Sequence, residues 1–451
     1  MATHSEILLT NANIIDGQGA APIHGAIAIR DNVILDVGES SSMSGLLSPE
    51  TSTLDLGGLT VMPGLIDSHC HITFDEPQTN DELFFHRREG LAALVASVNA
   101  QKVLRAGFTS LFDADCIFDA GIDLRDAIEA GVVTGPRMTT GGNVLINCVG
   151  GTASRLLPDR GRRGYGMIVH TKDEIVTEIH RQVKAGVDWI KVHVSGMPIR
   201  PHGQVGEIQT WQLDELKLIC DTAHQLGVPV VGHCRNASST RDAAIAGFDM
   251  ILHATYMDET AVQAVIDHKV PLVPTFTFQA NLADYGEAIG ADSTLQAIFR
   301  EEIVQSAGPL TEVFKAGVPI LSGSESGFSL TPYGHWHYRE LKILEAVLGM
   351  SALEAIQSAT QHGAIALRAQ GQLGVLAKGY LADLICVEGD VLSDLDCLGR
   401  PGTIRHIMKD GRWVDCTQPL PDTWSIPGWR VSEFSSEVLT RQRAEQALGP
   451  L

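Results

Sequence analysis

The sequence has few basic residues and lacks the patterns of several protein classes. Lysine and arginine number 33 against 54 aspartates and glutamates, which gives 451 residues a net charge of −21. A surface this negative repels phosphate groups, so neither nucleic acid nor an anionic membrane is an expected partner. No apolar run approaches the roughly 18 residues of a membrane span, and no basic segment followed by an apolar run opens the chain. We therefore predict a cytoplasmic protein.

Cysteine pairs and a phosphate-binding glycine motif are also missing. The eight cysteines are scattered without a CxxC pair, which argues against a zinc ribbon or a disulfide framework. No GxGxxG motif follows the first apolar strand of the central region, which argues against a doubly wound dinucleotide-binding sheet. Hydrophobic residues make up 44% of the chain, which is typical of a globular protein with a large core.

Short strands separated by turns occur near both ends of the chain. They are predicted at residues 7–10, 26–29, 33–37, 380–387 and 403–408, with a hairpin turn at 410–411. Neither group alone is large enough for a stable sheet. We therefore predict one small β-sandwich domain built from both termini, residues 1–60 and 370–451. The polar tail from Gln418 to Leu451 could pack across the central domain or onto a neighbouring subunit, and it favours a homo-oligomer.

The central region alternates apolar strands with amphipathic helices. Strands are predicted at 61–71, 107–113, 136–141, 188–195, 228–234, 249–255, 271–277 and 318–324, and helices at 171–185, 213–227, 258–269 and 311–317. This alternation indicates an α/β fold with a parallel sheet. Eight strand–helix units over about 300 residues predict a TIM (β/α)8 barrel spanning residues 61–369.

Catalytic groups of such barrels lie at the carboxyl ends of the strands. The first predicted strand ends in His69-Cys70-His71, and side chains alternate along a strand, so both imidazoles face one side and could hold a metal ion. They could also be two unrelated histidines at the barrel rim. The fourth strand carries Lys191 in an apolar run, where an ammonium group must be paired, deprotonated or chemically modified.

Three more strand ends carry metal-binding side chains. The fifth strand ends in His233, the sixth in His253 and the eighth in Glu325. A single histidine at a strand end is more often structural than a ligand, but four on three strands beside a buried lysine favour a metal centre. Histidine and carboxylate ligands suit zinc, cobalt, manganese and iron. We predict one or two divalent ions, with zinc as the first candidate.

With these residues, the sequence resembles the amidohydrolase superfamily, in particular its imidazolonepropionase and Xaa-Pro dipeptidase-like branch, which includes phenylurea and thiocarbamate hydrolases. The resemblance runs from about residue 6 to 416 and is carried by Pro63-Gly64-Leu65-Ile66-Asp67-Ser68-His69-Cys70-His71, Asp188-Trp189-Ile190-Lys191-Val192, His233, His253 and Lys378-Gly379-Tyr380-Leu381-Ala382-Asp383-Leu384. It implies that His69 and His71 bind the more buried metal ion and that His233 and His253 bind a second. It also implies that Lys191, carboxylated by carbon dioxide, bridges both ions.

The sequence departs from the family pattern at three places. Glu325 stands where the family usually has an aspartate that binds metal and takes a proton from the attacking water. Its extra methylene can shift the carboxylate by about an ångström, so occupancy of both metal positions stays open. Arg235 replaces a histidine, and Gly150-Gly151-Thr152 replaces Gly-Gly-His. Arg235 could bind a substrate carboxylate or serve as a structural ion-pair partner.

Three further histidines complete the candidate substrate-binding set with Arg235 and Thr152. His193 shares a strand face with Lys191 and could support the metal ligands or pack in the core. His335 and His337 follow the eighth strand, on a loop that could reach the substrate or lie on the surface.

The predicted activity is metal-dependent hydrolysis of a carbon–nitrogen bond, with Glu325 as the proton acceptor. The apolar residues expected near the predicted rim are Cys148, Val149, Phe276, Phe278 and Trp336. They favour a small-molecule substrate that is an amide, urea or carbamate of the phenylurea or carbamate type. The alternatives are an Xaa-Pro-type dipeptidase or an N-acyl amino acid carboxypeptidase. A lyase that uses Lys191 as a Schiff-base nucleophile and a metal-free non-enzymatic scaffold are the alternatives from other classes.

Overall fold

The computed structural model describes residues 5–43, 45–77, 88–147, 149–151, 162–197, 206–291 and 293–420. The strands are β1 Glu6–Ile14, β2 Ile23–Arg30, β3 Val33–Gly38, β4 Ser52–Asp55, β5 Thr60–Pro63, β6 Leu65–Cys70, β7 Phe108–Asp113, β8 Arg137–Thr140, β9 Val144–Ile146, β10 Arg162–Arg163, β11 Gly166–Ile168, β12 Ile190–His193, β13 Ser195–Gly196, β14 Ile208–Gln209, β15 Val230–Cys234, β16 Met250–His253, β17 Leu272–Val273, β18 Leu384–Val387, β19 Ile404–Lys409 and β20 Arg412–Trp413. The α-helices are α1 Glu89–Arg105, α2 Ala120–Glu129, α3 Lys172–Ala185, α4 Leu213–Gln225, α5 Ala237–Ala246, α6 Glu259–His268, α7 Thr277–Tyr285, α8 Ser293–Lys315, α9 Arg339–Leu348 and α10 Ala352–Ser358. The chain divides into a compact unit, Met1–Pro419, which holds all of these elements, and a second unit, Leu420–Leu451.

Strands from both ends of the chain form one eight-stranded sheet. Its order is β20-β19-β18-β5-β1-β2-β3, and β4 pairs with β1. The two ends meet where β18 pairs antiparallel with β5, with Leu384 opposite Pro63 and Cys386 opposite Val61. Leu9, Ile27 and Leu384 belong to the apolar core of this sheet. The domain boundaries at residues 60 and 370 stay predictions.

The central strands run parallel, and neighbouring strands are joined by backbone hydrogen bonds. Strands β6, β7 and β8 form one sheet, while β12, β15, β16 and β17 are consecutive in another. Between the two sheets, the Asp188 nitrogen donates to the Thr140 carbonyl at 2.9 Å. On the far side, the Leu321 nitrogen donates to the Leu272 carbonyl at 2.8 Å, and the Ser68 nitrogen donates to the Ser322 carbonyl at 2.8 Å. The hydrogen bonding thus passes from β6 through β17 and residues 319–322 back to β6.

Helix α3 begins and ends at the signals that its sequence carries. The Thr171 side chain accepts a hydrogen bond from the Glu174 nitrogen at the start of α3, and Gly186 ends the helix with a left-handed φ of 98°. The apolar side of α3 packs in the same core as β12, through Ile175, Ile179 and their neighbours. The predicted helix at 171–185 is therefore confirmed. Among the described helices, none is both long enough and apolar enough to cross a membrane.

The predicted strand 61–71 is two strands in different sheets. β5 belongs to the sheet of the chain termini, whereas β6 begins the parallel series. Gly64 joins them, and a Cβ there would lie 2.0 Å from Thr109 Oγ1, so the crossing requires glycine. A continuous apolar run does not reveal such a change of sheet.

Three other predictions of secondary structure are wrong. The predicted eighth strand, 318–324, is not a regular strand, and within it Ile320 forms only an isolated bridge with Leu272. Only β17 is a strand within 271–277, because Thr277 already begins α7. Buried Glu340 accepts hydrogen bonds from the Phe276 and Thr277 nitrogens at 2.9 and 2.8 Å, which caps this helix from a distant segment. The predicted helix 311–317 is the end of the longer α8, which continues through Pro309.

Candidate metal centre

Five of the six predicted metal-binding residues lie in the parallel strands or directly after one. His69 is in β6 and His71 follows that strand, Lys191 is in β12, His233 in β15 and His253 in β16. Glu325 follows residues 319–322, which hydrogen-bond to β6 and β17. All but Glu325 are buried, and Glu325 is partly exposed.

His69, His71 and Glu325 form the tightest group. One ligand atom from each lies within 4.8 Å of the other two. The Glu325 nitrogen donates a hydrogen bond to the His69 carbonyl at 2.7 Å. A Cβ on Gly323 would lie 2.7 Å from His69 Cβ, and one on Gly327 would lie 2.5 Å from the His71 carbonyl oxygen. The two glycines therefore permit the close approach, and two imidazoles with one carboxylate make a potential site for a divalent metal ion.

The histidine rings continue from this group towards β16 and β15. The His253 ring centroid lies 5.1 Å from that of His69 and 4.6 Å from that of His233. Among the described residues, neither His253 ring nitrogen has a hydrogen-bond partner, and Glu325 Oε2 has none either. An unpartnered buried polar group costs roughly 1–3 kcal/mol, so these atoms fit a bound cation better than an empty interior.

Lys191 lies beside the histidines with a relative exposure of 1%. Burial lowers the pKa of its ammonium group, and the charges of Asp115 and Glu325 oppose this shift only in part. A lowered pKa favours the neutral amine, which is the form that reacts with carbon dioxide or with a carbonyl carbon. The geometry is thus compatible with carboxylation and with Schiff-base chemistry.

Asp115 is a site residue that the sequence reasoning missed. It follows β7, and one of its carboxylate oxygens contacts His71 Nδ1 while the other lies 3.4 Å from His193 Nε2. Burial raises the pKa of the Asp115 carboxyl, but His71 and Lys191 outweigh burial and hold it well below its usual range. The rule that identified the other residues also applies here, because Asp115 comes directly after a buried strand.

Glu207 is the second missed residue, in a segment just before the short strand β14. Its Oε2 accepts a hydrogen bond from His233 Nε2 at 2.8 Å and another from Ser195 Oγ at 2.6 Å. Burial raises the pKa of Glu207, but His233 and Arg235 lower it more, to about 2. No strand-end position or motif marks this residue in the sequence.

Arg235 is an ion-pair partner in this structure. Its Nη2 donates to both carboxylate oxygens of Glu302 at 2.6 and 2.8 Å, and its Nε lies 3.9 Å from Glu207 Oε1. The guanidinium carbon lies 5.5 Å from the Phe299 ring centroid. Two carboxylates thus share one cation, which leaves little positive charge for a substrate carboxylate.

His193 lies beside Asp115 and beside His233, which is one of the predicted metal ligands. Its ring centroid is 4.7 Å from that of His233. Burial lowers the pKa of His193 to about 4, so its imidazole is neutral at pH 7. A Cβ on Gly151 would lie 2.5 Å from His193 Nδ1, which explains a glycine at that position. The neighbouring Thr152 lies outside the described residues.

The two histidines after the predicted eighth strand have different environments. His337 is buried, with Nδ1 2.6 Å from Asp67 Oδ2, and its Nε2 accepts a hydrogen bond from the Gly334 nitrogen. Both ring nitrogens are occupied, so His337 holds its own loop against β6. His335 is exposed.

The apolar residues expected at the rim also lie in different environments. Phe276 is fully buried in the core, and Trp336 packs against Tyr285, with ring centroids 5.6 Å apart. Val149 is exposed, and Cys148 lies outside the described residues. Only Phe278 belongs to a group of rings that reaches a predicted metal ligand.

These rings form what we call the phenylalanine row, Phe74, Phe328, Phe278 and Phe299. Phe74 stacks on His71 at 4.3 Å, and successive ring centroids lie 5.4, 5.5 and 6.1 Å apart. Phe299 lies under Arg235. The row therefore extends from the predicted metal ligands to the Arg235 ion pairs.

Comparisons with known proteins agree with one another. A model of the amidohydrolase family matches residues 60–414. The ochratoxinase of Aspergillus niger is 27% identical over 424 residues, covering 88% of this chain and 84% of that protein. A solved prolidase complexed with N-methylphosphonate-L-proline is 26% identical with a TM-score of 0.78, over 91% of this chain and 99% of that one. Phenylurea hydrolase B shares the fold, with a TM-score of 0.72 at 22% identity over 91% and 97% of the two chains.

Proposed function

This chain belongs to the amidohydrolase family, and we propose that it is a metal-dependent hydrolase that cleaves the carbon–nitrogen bond of an uncharged amide, urea or carbamate. The observation that carries this proposal is the convergence of His69, His71 and Glu325 within 4.8 Å. The unpartnered nitrogens of His253 beside them support it.

For the fold, we propose a TIM barrel over residues 61–369 and a β-sandwich from residues 1–60 and 370–451. The hydrogen bonds that pass through the parallel strands and return to β6 support the barrel. The shared sheet of the two chain ends supports the second domain. In such a barrel the strand ends that carry the histidines are the usual place for catalysis.

His69, His71 and Glu325 would hold one ion, and His233 and His253 would hold a second, with carboxylated Lys191 as a further ligand. These donors suit zinc first, and cobalt, manganese or iron also fit. A bound divalent ion supplies a Lewis acid that polarises the substrate carbonyl and makes water more acidic.

Glu325 is the proposed general base. Burial raises the pKa of this carboxyl, and the charges of Arg235 and His71 act in the opposite direction. A raised pKa makes a carboxylate a stronger base for a proton from water. Glu325 would accept that proton and return it to the leaving nitrogen.

The surroundings favour an uncharged substrate with an apolar group, of the phenylurea or carbamate type. The phenylalanine row offers aromatic surface next to His71, and Arg235 is already paired with Glu302. An Xaa-Pro-type dipeptidase or an N-acyl amino acid carboxypeptidase is the second candidate, favoured by the likeness to a solved prolidase. A Schiff-base lyase would use Lys191 but leaves the histidines without a role, as does a metal-free scaffold.

A matched substrate panel tests the proposal. Aryl ureas and carbamates, Xaa-Pro dipeptides and N-acyl amino acids are assayed with the purified protein before chelation, after chelation and after zinc is restored. We expect hydrolysis of the uncharged aryl compounds, lost on chelation and regained with zinc. Preference for the carboxylate substrates would reverse the order of the two candidates. Full activity of the metal-free protein, or borohydride trapping of substrate on Lys191, would overturn the hydrolase mechanism.

A further inference from the structure

Glu207 contacts a predicted metal ligand from a separate segment of the chain. Its carboxylate accepts the His233 Nε2 hydrogen at 2.8 Å, and the two residues belong to different elements. Among the described residues, no other hydrogen bond involves the His233 ring. Nδ1 is therefore the nitrogen of His233 that is left for a metal ion.

The position of Glu207 is fixed by several other contacts. Ser195 Oγ donates to the same carboxylate oxygen at 2.6 Å, and Asn236 Nδ2 donates to the Glu207 carbonyl at 2.9 Å. Its side chain has a relative exposure of 4%. Contacts with the protein alone thus hold the carboxylate in place.

A carboxylate on one imidazole nitrogen has a defined effect on the other. It keeps the proton on Nε2, fixes the orientation of the ring and makes Nδ1 a stronger electron donor. From this geometry we propose that Glu207 is a positioning residue, which presents His233 to a divalent metal ion through Nδ1. This inference rests on the proposed metal-dependent function, and it gives Glu207 a role that its position in the sequence does not suggest.

Zinc affinity measures the effect directly. Competition with a chromogenic chelator gives the number of ions per chain and their affinities for the wild type and for the variants Glu207→Ala, Glu207→Gln and Glu207→Asp. Loss of such a partner typically weakens metal binding roughly 10–100-fold. We expect that loss for Glu207→Ala at the ion held by His233, a smaller loss for Glu207→Gln and partial rescue by Glu207→Asp. The visible spectrum of the cobalt-loaded protein should change in the same order.

Glu178→Gln is the matched control. Glu178 is also buried and ion-paired, but its partner is Arg181 on α3 and it does not touch the site. The control should bind zinc and cobalt as the wild type does. If Glu207→Ala fails to fold, Glu207→Gln decides the question, because it keeps the shape of the side chain.

The possible results separate this inference from the proposed function. A wild type that is metal-dependent, with folded Glu207 variants that bind zinc as it does, overturns the role of Glu207 alone. A wild type that binds no ion overturns both. Weakened binding with an altered cobalt spectrum supports the inference.

Discussion

Replacing Glu325 with glutamine separates metal binding from proton transfer. Glutamine keeps the size of the side chain and a carbonyl oxygen that can face the metal ion, but it cannot accept a proton from water. General-base catalysis contributes typically about 10²–10⁴-fold, so kcat should fall by that factor, which corresponds to roughly 3–5 kcal/mol. KM should change much less, because the phenylalanine row is untouched.

The environment of Glu325 makes this a sharp test. Its Oε2 has no hydrogen-bond partner among the described residues, so replacing that oxygen with an amide leaves every described hydrogen bond in place. The assay is hydrolysis of an aryl urea or carbamate at saturating zinc, with the ions per chain counted for each variant. Glu178→Gln serves again as the control and should keep full activity. A Glu325→Gln enzyme with normal metal content and at least half of the wild-type kcat would refute the role of Glu325 as the base.

Two further predictions concern stability. Burial raises the pKa of Glu340 to about 7. Between about pH 4.5 and pH 7 the folded state therefore keeps a proton on Glu340 that the unfolded state releases. The stabilisation that this proton gives the folded state is lost as pH rises towards 7. In urea unfolding, the free energy of unfolding should fall by up to about 1.4 kcal/mol per pH unit because of this group. The Glu340→Gln variant should show a weaker dependence of that free energy on pH. A dependence equal to that of the wild type would contradict the raised pKa of Glu340. Replacing Arg235 with methionine leaves Glu302 and Glu207 without their cation and should cost roughly 3–5 kcal/mol of unfolding free energy. Adding Glu302→Leu should recover part of that loss, whereas a stable single variant with a raised KM only for carboxylate substrates would indicate a substrate-binding role instead.

The strand ends allowed most of the candidate site to be predicted from the sequence. His69 lies in β6 and His71 directly after it, and His233 and His253 lie near the ends of later parallel strands, so the topology brings them together. Asp115 follows the same rule and could have been included. Glu207 could not, because its place beside His233 depends on the path of an irregular segment.

Long-range packing explains the other differences between the predictions from the sequence and the structure. Phe276 and Trp336 follow strand-end segments as Phe278 does, but Phe276 points into the core and Trp336 packs on Tyr285. The early start of α7 depends on Glu340 from a distant helix. From the sequence alone, Arg235 could bind a substrate carboxylate or form a structural ion pair. Its contact with Glu302 in the structure favours the ion pair. Local patterns carry none of this information, because each outcome is decided by a partner far away in the chain.

The most direct measurement is a crystal structure of the zinc-loaded protein with anomalous diffraction data at the zinc edge. We expect a strong anomalous peak bound by His69, His71 and Glu325, whose ligand atoms lie within 4.8 Å of one another. A second peak at His233 and His253, with extra density on Lys191, would establish a two-ion centre. A fully active protein with no anomalous peak among these residues would contradict a metal-dependent hydrolase that uses them as ligands.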